Sequence, residues 1–383
     1  MNTAINKFMD LEKLTLSKKK SHNIHIGKQK QNCPALKVHE NNMEQSNQET
    51  YLGDVVSKSG KTRPTIEARK AKGYGILTNV LAIINEVPLG HWKIDAGLQL
   101  RQAMLLNGVL FNSEAWHNVS QDDLNILEKV DEALLRGILK AHSKIPLEAL
   151  FLETSSIPIR LIVAGRRLMY LHTILQKSQS EMIRKVYDVQ KSDASPGDFA
   201  ELVSNDKKDI ELNLSDTEIK RLTKTKFKKI LKTKINQAAF KYLTSLKQGH
   251  SKMDGISYTH LEKASYLNSP LFNSETSRLL LALRTRTVNG IKNDFRGLYA
   301  DIKCPLMCGE DDKLQHILEC SVLKSHHTSS SVMSNNGVRY EDVFSSYVSK
   351  HKQVTELYQQ LLEIRSNLIN SQPEAVTGPV HCV

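Results

Sequence analysis

Residues 120–139, SQDDLNILEKVDEALLRGIL, indicate the fold class of this protein most directly. The segment opens on Ser120-Gln-Asp-Asp123, which is typical of a helix N-cap. Apolar residues then recur every three or four positions, and such a period predicts an amphipathic helix that packs against other helices. The predicted inward face consists of Leu124, Leu127, Val130, Leu134, Leu135 and Ile138.

The segments around this helix have the same character. Apolar residues recur at helical spacing from Thr65 to Ile84, and residues 93–112 and 159–177 read as two largely apolar, buried helices. We therefore predict one helical bundle over residues 63–190.

The chain after the bundle is more polar. Residues 191–300 are predicted to form a linker followed by a basic helical region, in which Ser215-Asp-Thr-Glu218 caps one long helix that runs to about Gln248. A further helix is predicted over residues 277–284. The last part, residues 326–383, is predicted to contain a flexible loop, an amphipathic helix over residues 340–370 and a disordered tail.

The first 62 residues differ from the rest. A short amphipathic helix is predicted over residues 1–15, and the segments HNIHIG (22–27) and TYLGDVVS (50–57) alternate as strands do. Residues 1–62 are thus a small α+β region with too little mass for a core of its own. The predicted fold class is mainly α, with this region at the N-terminus and a zinc knuckle and a helix at the C-terminal end.

Composition limits the compartment and the class of partner. The chain has 383 residues, 40% of them hydrophobic, and a mean hydropathy of −0.38 without a long apolar run, which argues against a membrane span. Its first residues are amphipathic and carry acids, unlike a signal peptide. Five cysteines, three of them clustered, favour a reducing compartment with metal binding over a disulfide scaffold. We expect an intracellular protein of the nucleus or cytoplasm that is not secreted.

The cysteine cluster lies in CPLMCGEDDKLQHILEC, residues 304–320. Cys304, Cys308, His316 and Cys320 have the spacing Cys-x3-Cys-x7-His-x3-Cys, close to that of short zinc knuckles. Zn²⁺ prefers four thiolate or imidazole ligands in a tetrahedron, and closed sites of this kind are structural. Gly309 suits a tight turn, and two residues four apart on a helix share a face. The alternative is buried cysteines beside an ordinary surface histidine.

Positive charge is concentrated in two stretches. The chain has a formal net charge of +12, and residues 1–37 and 215–234 each contain eight basic residues and two acids. Such stretches indicate contact with nucleic acid, although they could also be solvated helix faces. The candidate contacts are Lys220, Arg221, Lys224, Lys228, Lys232, Arg278, Arg284 and Arg286.

The order of features along the chain is similar to that of a known family. A lysine-ended strand (LTLSKKKSHNIHIG, 14–27) precedes Tyr51-Leu52-Gly53, a set of helices, the arginine-bearing SRLLLALR helix (277–284) and the knuckle. This order resembles the C-terminal part of reverse transcriptases from LINE-like (non-LTR) retrotransposons over about residues 1–320. The resemblance implies the end of a palm domain at 1–62, a thumb-like bundle at 63–190 and a CCHC zinc knuckle at 301–325.

The resemblance also implies roles for individual residues. Lys20 matches the lysine thought to assist departure of pyrophosphate, a role that a cation suits because charge develops on the leaving group. Tyr51, Leu52 and Gly53 match the hairpin that supports the primer terminus. From the residues alone, Lys18–Lys20 could be a solvated basic turn, and Tyr51 a core tyrosine before a strand.

Polymerase activity is not expected of this chain. The family holds two Mg²⁺ ions on palm aspartates, in an aromatic-x-Asp-Asp motif ahead of the lysine-ended strand. This sequence begins too late to contain that motif, so Mg²⁺ would bind only if the missing palm were present. Asp122-Asp123 follows a helix cap, and Asp311-Asp312 is expected in a polar loop between ligand candidates. Strands without their palm partners could also drive self-association.

Two functions follow from these observations. The first is a truncated product of a retrotransposon reverse transcriptase that binds RNA or single-stranded DNA through basic helices and a structural zinc knuckle. The second is a non-enzymatic helical module for protein interaction, in which zinc only staples two helices together.

Overall fold

Helices make up most of the structure, a computed structural model that describes residues 7, 11–12, 22–26, 37–38, 41–88, 90, 92–193, 195–291, 302–328, 338–345 and 347–371. The mainly α fold class predicted from the sequence is therefore confirmed. Within these described ranges, no helix is both long enough and apolar enough to cross a membrane. The helix predicted over residues 1–15, Lys20 and the tail after residue 371 lie largely or wholly outside the described residues. Most of the flexible loop predicted over residues 326–337 also lies outside them, but residues 326–328 are the end of a helix, which corrects that part of the prediction.

The helices are, in chain order, α1 (Arg63–Glu86), α2 (Trp92–Leu100), α3 (Asn107–Val109), α4 (Gln121–Leu139), α5 (Leu147–Thr154), α6 (Ile159–Gln176), α7 (Met182–Ser192), α8 (Phe199–Asp209), α9 (Asp216–Arg221), α10 (Lys224–Lys247), α11 (Ser265–Asn268), α12 (Ser274–Arg284), α13 (Leu314–Glu319), α14 (Ser321–Thr328) and α15 (Val348–Asn370). A π-helical turn, Arg101–Leu106, joins α2 to α3, and short 3₁₀ helices cover Ser113–Ala115, Ser251–Met253 and Tyr340–Phe344.

Among the described residues, the strands are short and form three separate pairs. β1 (His22–Asn23) runs parallel to β4 (Glu44–Gln45), with His22 opposite Glu44. β2 (Lys37–Val38) is antiparallel to β3 (Asn41–Asn42). The remaining pair is a hairpin of β5 (Gln48–Tyr51) and β6 (Asp54–Ser57), in register from Gln48 opposite Ser57 to Tyr51 opposite Asp54.

This hairpin corrects one prediction. The sequence pattern over residues 50–57 predicts a single strand, but the chain reverses at Leu52 and Gly53, whose φ angles are 49° and 87°. Two consecutive residues of positive φ form the kind of two-residue turn that matches the twist of an antiparallel pair. A period-two pattern is the same on both arms of a hairpin, so the alternation alone did not reveal the turn.

The chain divides into two compact units, and each consists of three separated segments. The first contains Met1–Ile76, Leu105–Val130 and Ile159–Lys234, and the second contains Leu77–Met104, Asp131–Pro158 and Ile235–Val383. The five-part division predicted from the sequence follows chain order, and its boundaries stay predictions.

In the first unit, α6 is the central helix and packs against α8 and α9. Leu168, on α6, is fully buried, as are Leu127 and Phe227. Arg167 of α6 donates to both carboxylate oxygens of Asp206 on α8, at 3.0 and 2.8 Å. Both partners are buried, so a shift of α8 along α6 would leave a buried charge without its partner.

The N-cap of α4 is confirmed in this unit. The Asp123 N–H donates to Ser120 Oγ at 3.1 Å, and the Asp123 carboxylate accepts from the Ser120 N–H at 3.0 Å. Arg63 donates to the same carboxylate at 2.9 Å. Burial acts to raise the pKa of Asp123, but the bonds from Ser120 and Arg63 outweigh it and lower the pKa overall.

The basic helix predicted from Ser215 to about Gln248 is two helices. Ser215 and Glu218 form the predicted capping box, but α9 ends at Arg221 because Leu222 is extended, at φ −77° and ψ 142°. The break leaves backbone carbonyls without helical hydrogen-bond donors, and side chains of α6 bind them instead. Gln176 donates to Lys220 O at 2.8 Å, and His172 Nε2 lies 2.9 Å from Leu222 O. Tertiary contacts thus replace the helical bonds that the sequence pattern predicted.

In the second unit, Leu134, Leu135 and Ile138 of α4 are fully buried, as predicted. The single helix expected over residues 93–112 is interrupted by the π-helical turn that begins at Arg101. The Arg101 guanidinium donates to both oxygens of Asp131, at 2.6 and 2.5 Å, and both residues are buried. The helix expected over residues 340–370 is likewise a 3₁₀ turn followed by α15.

We predict opposite effects for the same substitution at two helical glycines. A Cβ at Gly97 would lie 2.8 Å from Ile138 Cγ2 and 3.1 Å from Ile84 Cδ1, whereas a Cβ at Gly75 would have nothing within 4 Å. Gly97→Ala should therefore lower the free energy of unfolding by about 1–3 kcal/mol through overpacking. Gly75→Ala should raise it by about 0.5–1 kcal/mol, because alanine favours a helix. Urea unfolding midpoints of both variants provide the measurement. A Gly97→Ala midpoint equal to or above that of the wild type would contradict the close contact of Gly97 with Ile138.

Candidate metal centre

The first two ligand candidates lie on a small hairpin. Lys303 and Asp311 form an antiparallel bridge, and the Cys304 N–H donates to Glu310 O at 2.8 Å. The chain reverses between them, where the Met307 N–H donates to Cys304 O at 3.1 Å. Gly309 has a φ of 89°, as its predicted place in a tight turn requires. This turn holds Cys304 and Cys308 side by side.

The other two candidates lie on and directly after α13. His316 is in the middle of this short helix, and Cys320 follows its last residue. The Cys320 N–H donates to His316 O at 2.7 Å, which keeps the two residues one helical turn apart. Their side chains therefore share one face, as the spacing predicted.

The four predicted ligands come together. The ligand atoms of Cys304, Cys308, His316 and Cys320 all lie within 4.8 Å of one another, and Cys308 Sγ is 3.1 Å from His316 Nε2. In a tetrahedral Zn²⁺ site, bonds of about 2.3 Å to sulfur and about 2.1 Å to nitrogen separate the ligand atoms by roughly 3.5–3.8 Å. To reach that geometry, the widest pairs would close by up to about 1 Å, and Cys308 Sγ and His316 Nε2 would separate by about 0.5 Å. The four residues could thus hold a metal ion such as zinc.

Burial differs among the four ligands. Cys304 is 5% exposed, His316 8% and Cys320 0%, whereas Cys308 is half-buried. Cys308 and His316 also line a cleft of about 540 Å³, together with Glu310, Asp311, Lys313, Gln315, Glu319 and Ser321. One side of the site is therefore open to a metal ion or to a chelator, while the other side belongs to the core.

The two hairpin thiols have different acidities. Burial raises the pKa of the Cys304 thiol to about 12. Burial also acts to raise the pKa of Cys308, but the Glu310 backbone N–H and the sulfur atoms of Cys304 and Cys320 outweigh it and lower the pKa overall. A metal ion replaces the proton of each thiol it binds, so it would supply the positive charge that a buried thiolate at Cys304 lacks.

The Asp311-Asp312 pair between the ligands was expected in a polar loop, and for Asp312 that expectation is wrong. Its side chain is fully buried and accepts two hydrogen bonds from Arg365, at 2.7 and 2.8 Å. Asp311 lies nearer the surface, 3.0 Å from Lys303 Nζ and 3.3 Å from Lys313 Nζ. The partner of Asp312 is 53 residues away, and no local pattern in the sequence indicates it.

The residues predicted to contact nucleic acid fall into two groups. Those on α9 and α10 are exposed: Lys220, Arg221, Lys224, Lys228 and Lys232. Arg278 and Arg286, at and after α12, are half-buried, and Arg278 donates to Ile138 O at 3.4 Å. The exposed set is the surface on which a phosphate backbone could lie.

Arg284 does not belong to that surface. It is 7% exposed, and its guanidinium donates to Glu153 Oε1 at 3.0 Å and to Val343 O at 2.7 Å. It also stacks over Tyr266, 5.8 Å from the ring centre. Its charge is already paired inside the protein, so the prediction that Arg284 contacts nucleic acid is wrong.

The triplet that resembles a primer-supporting hairpin is at the surface. Tyr51 and Leu52 are 69% and 74% exposed, so Tyr51 is not a core tyrosine. A Cβ at Gly53 would meet Arg69 at 3.5 Å and Phe111 at 3.7 Å, which places the turn against α1 and the segment after α3. Lys20, the other residue for which the resemblance implies a role, lies outside the described residues.

Comparison of the chain with protein-family models, with curated proteins and with solved structures finds no match. The likeness to retrotransposon reverse transcriptases accordingly stays a prediction that depends on the motifs themselves.

We predict that the purified protein binds one equivalent of metal and that Cys308→Ser abolishes tight binding. Loss of a direct ligand should weaken affinity by more than about 100-fold, since changes outside the ligand set already cost about 10–100-fold. Titration with Co²⁺, followed by thiolate-to-metal absorption, and metal analysis of protein purified without chelator provide the measurements.

The control for this prediction is Cys33→Ser, which removes a cysteine outside the cluster. It should bind metal as the wild type does. Equal affinities for Cys308→Ser and the wild type would show that these four residues do not form the site.

Proposed function

We propose that this protein binds RNA or single-stranded DNA with little sequence preference, and that a structural zinc ion holds its C-terminal knuckle. We further propose that it derives from the reverse transcriptase of a LINE-like retrotransposon and adds no nucleotides on its own. The observation that carries the proposal is the exposed set of cations on α9 and α10. We call this set, Lys220, Arg221, Lys224, Lys228 and Lys232, the cationic face.

The two acids within the same stretch have hydrogen-bond partners outside the cationic face. Asp216 accepts hydrogen bonds from Lys191 at 2.6 Å, Lys207 at 2.8 Å and Tyr187 at 2.8 Å. Burial opposes ionisation of Asp216, but these three partners lower its pKa to about 2. Glu218 is used in the capping box with Ser215, and Arg221 of the cationic face adds an electrostatic attraction to it. The hydrogen bonds that hold the two carboxylates nevertheless come from partners outside the cationic face.

The cations themselves remain available to a ligand. In the part of the chain that the structure describes, none of the five side chains of the cationic face lies within 4.0 Å of a carboxylate oxygen. Lysines at 224, 228 and 232 are spaced four apart, so they follow one side of α10. Such a row suits contact with successive phosphates, which attract cations regardless of base sequence.

Zinc suits the Cys3His cluster in its donor atoms and in its coordination number. Three thiolates and one imidazole fill a tetrahedron and leave no open position for a substrate. Three of the four ligands are buried, which also favours a structural ion over a catalytic one. When bound, zinc would cross-link the hairpin of Cys304 and Cys308 to α13.

The origin from a reverse transcriptase is supported by the order of motifs and by the exposed hairpin turn at Tyr51-Leu52-Gly53. The two Asp-Asp pairs already have structural roles, since Asp123 completes a helix cap and Asp312 binds Arg365. Mg²⁺-dependent nucleotide addition needs paired palm aspartates, and neither of these pairs suits that role, so we propose no such activity for this chain.

The second candidate, a module for protein interaction, is favoured by α7. On one side of this helix, the buried Tyr187 packs edge-on against Phe199 and donates to Asp216. Other positions of the helix expose apolar side chains. Met182 is 75% exposed, Val186 47% and Val189 64%. Exposed apolar residues at helical spacing are typical of a contact surface.

We predict that replacement of Lys224, Lys228 and Lys232 by Glu weakens binding of a single-stranded oligonucleotide on the order of 100-fold at 50 mM salt, because three attractions become repulsions. For the wild type, contact with about six phosphates predicts that log K falls with log salt at a slope of about −4. Fluorescence anisotropy with oligonucleotides of unrelated sequence measures both quantities.

The matched control replaces Lys72, Lys129 and Lys208 by Glu, because these lysines are also exposed and helical and the change in net charge is the same. It should reduce affinity only slightly. Equal losses in both variants would show a nonspecific effect of net charge, and no loss in either would favour the protein-interaction module.

A further inference from the structure

We infer that Arg365, on α15, is a positioning residue of the metal centre, although it lies 45 residues beyond the last ligand. It acts through Asp312, which is four residues after Cys308 and four before His316. This inference rests on the metal binding proposed above, and it assigns part of the metal affinity to a helix outside the Cys3His motif.

The contact between the two residues is a buried, two-point ion pair. Arg365 Nη1 lies 2.7 Å from Asp312 Oδ1, and Nη2 lies 2.8 Å from Oδ2. Asp312 is fully buried and Arg365 is 4% exposed. Two parallel bonds between a guanidinium and a carboxylate fix orientation as well as distance. A shift of the segment between the ligands would separate two buried charges.

The backbone of Asp312 is held from the other side. Its N–H donates to Ile302 O at 2.7 Å, at the base of the hairpin that carries Cys304 and Cys308. Asp312 therefore connects three parts of the centre: the hairpin through its backbone, α15 through its carboxylate, and α13 through the chain that leads to His316.

A second contact of α15 reaches the same segment. Tyr358 donates from its hydroxyl to Leu314 O at 2.7 Å, and Leu314 is the first residue of α13. Tyr358 and Arg365 are seven residues apart, so they lie two turns apart on one face of α15. Their two targets, Leu314 and Asp312, lie in the segment of chain directly before His316. In this way α15 sets where α13 begins and where its imidazole points.

The Arg365–Asp312 pair serves to position the segment between the ligands more than to raise the free energy of unfolding. A buried ion pair is often no more stabilising than apolar residues of the same volume, whereas loss of one partner is strongly destabilising. Residues that hold metal ligands in place from outside the ligand set typically affect affinity by about 10–100-fold. Because binding is reciprocal, a metal that prefers the fixed segment also favours the docked α15.

The test compares metal affinities of variants with intact ligands, by competition of Co²⁺ or Zn²⁺ against a chromogenic chelator. Arg365→Met should bind metal about 10–100-fold more weakly than the wild type. Arg365→Lys should recover part of this loss, since lysine keeps the charge but cannot donate to both oxygens at once.

The matched control is Arg101→Met. Arg101 and Asp131 form another buried two-point pair in the same unit, with distances of 2.6 and 2.5 Å and no metal ligand between them in sequence. Loss of either arginine should lower the thermal unfolding midpoint. Only the change at Arg365 should alter the metal affinity of the folded protein, and equal affinities in both variants would overturn the inference.

A double variant separates positioning from burial of a lone charge. Asp312→Leu combined with Arg365→Met removes both charges, so no buried charge is left without a partner. Its metal affinity should stay at least tenfold below that of the wild type. Wild-type affinity in this variant would overturn the inference, whereas failure of the wild type itself to bind metal would overturn the metal site instead.

Hydrogen exchange on the wild type requires no variant to fold. Removal of metal with a chelator should increase amide exchange in Val348–Asn370 as well as in residues 302–328. An increase confined to residues 302–328 would show that α15 and the metal centre are independent.

Discussion

Buried pairs of arginine and carboxylate fix the positions of helices within each unit, and the rest of the structure depends on them. Arg167 with Asp206 joins α6 to α8, Arg284 with Glu153 joins α12 to α5, and Arg365 with Asp312 joins α15 to the metal centre. An apolar face alone leaves some freedom in how two helices slide against each other. A guanidinium that is hydrogen-bonded to a buried carboxylate restricts that freedom, because a shift leaves a buried charge without its partner. The restriction is strongest for Arg365 and Asp312, where two nitrogens meet two oxygens.

This constraint explains which features the sequence could predict. Features that depend on neighbours in the chain were predicted correctly, such as the caps at Ser120 and Ser215, the turn at Gly309 and the clustering of the four candidate ligands. Their physical causes act over a few residues, through local hydrogen bonds, positive φ and helical spacing. The mainly α fold followed from the period of the apolar residues for the same reason.

Features that depend on distant partners were missed. Arg284 looks like an exposed cation at the end of an apolar helix, and only the folded chain brings Glu153 to it. The break after Arg221 has a similar cause, since α6 supplies donors for carbonyls that an unbroken helix would use itself. A continuous apolar period cannot show such breaks, because both halves keep the same face towards the core.

The metal centre combines the two kinds of information. Its candidate ligands lie within seventeen residues, so the spacing of cysteines and histidine was enough to predict which side chains come together. The segment before His316 is contacted also by Tyr358 and Arg365, which no knuckle motif includes. A peptide of residues 304–320 alone has every donor atom but neither of these contacts. In the metal centre that we propose, the spacing of the motif therefore sets which side chains bind the ion, and α15, which follows the motif, sets how firmly they bind it.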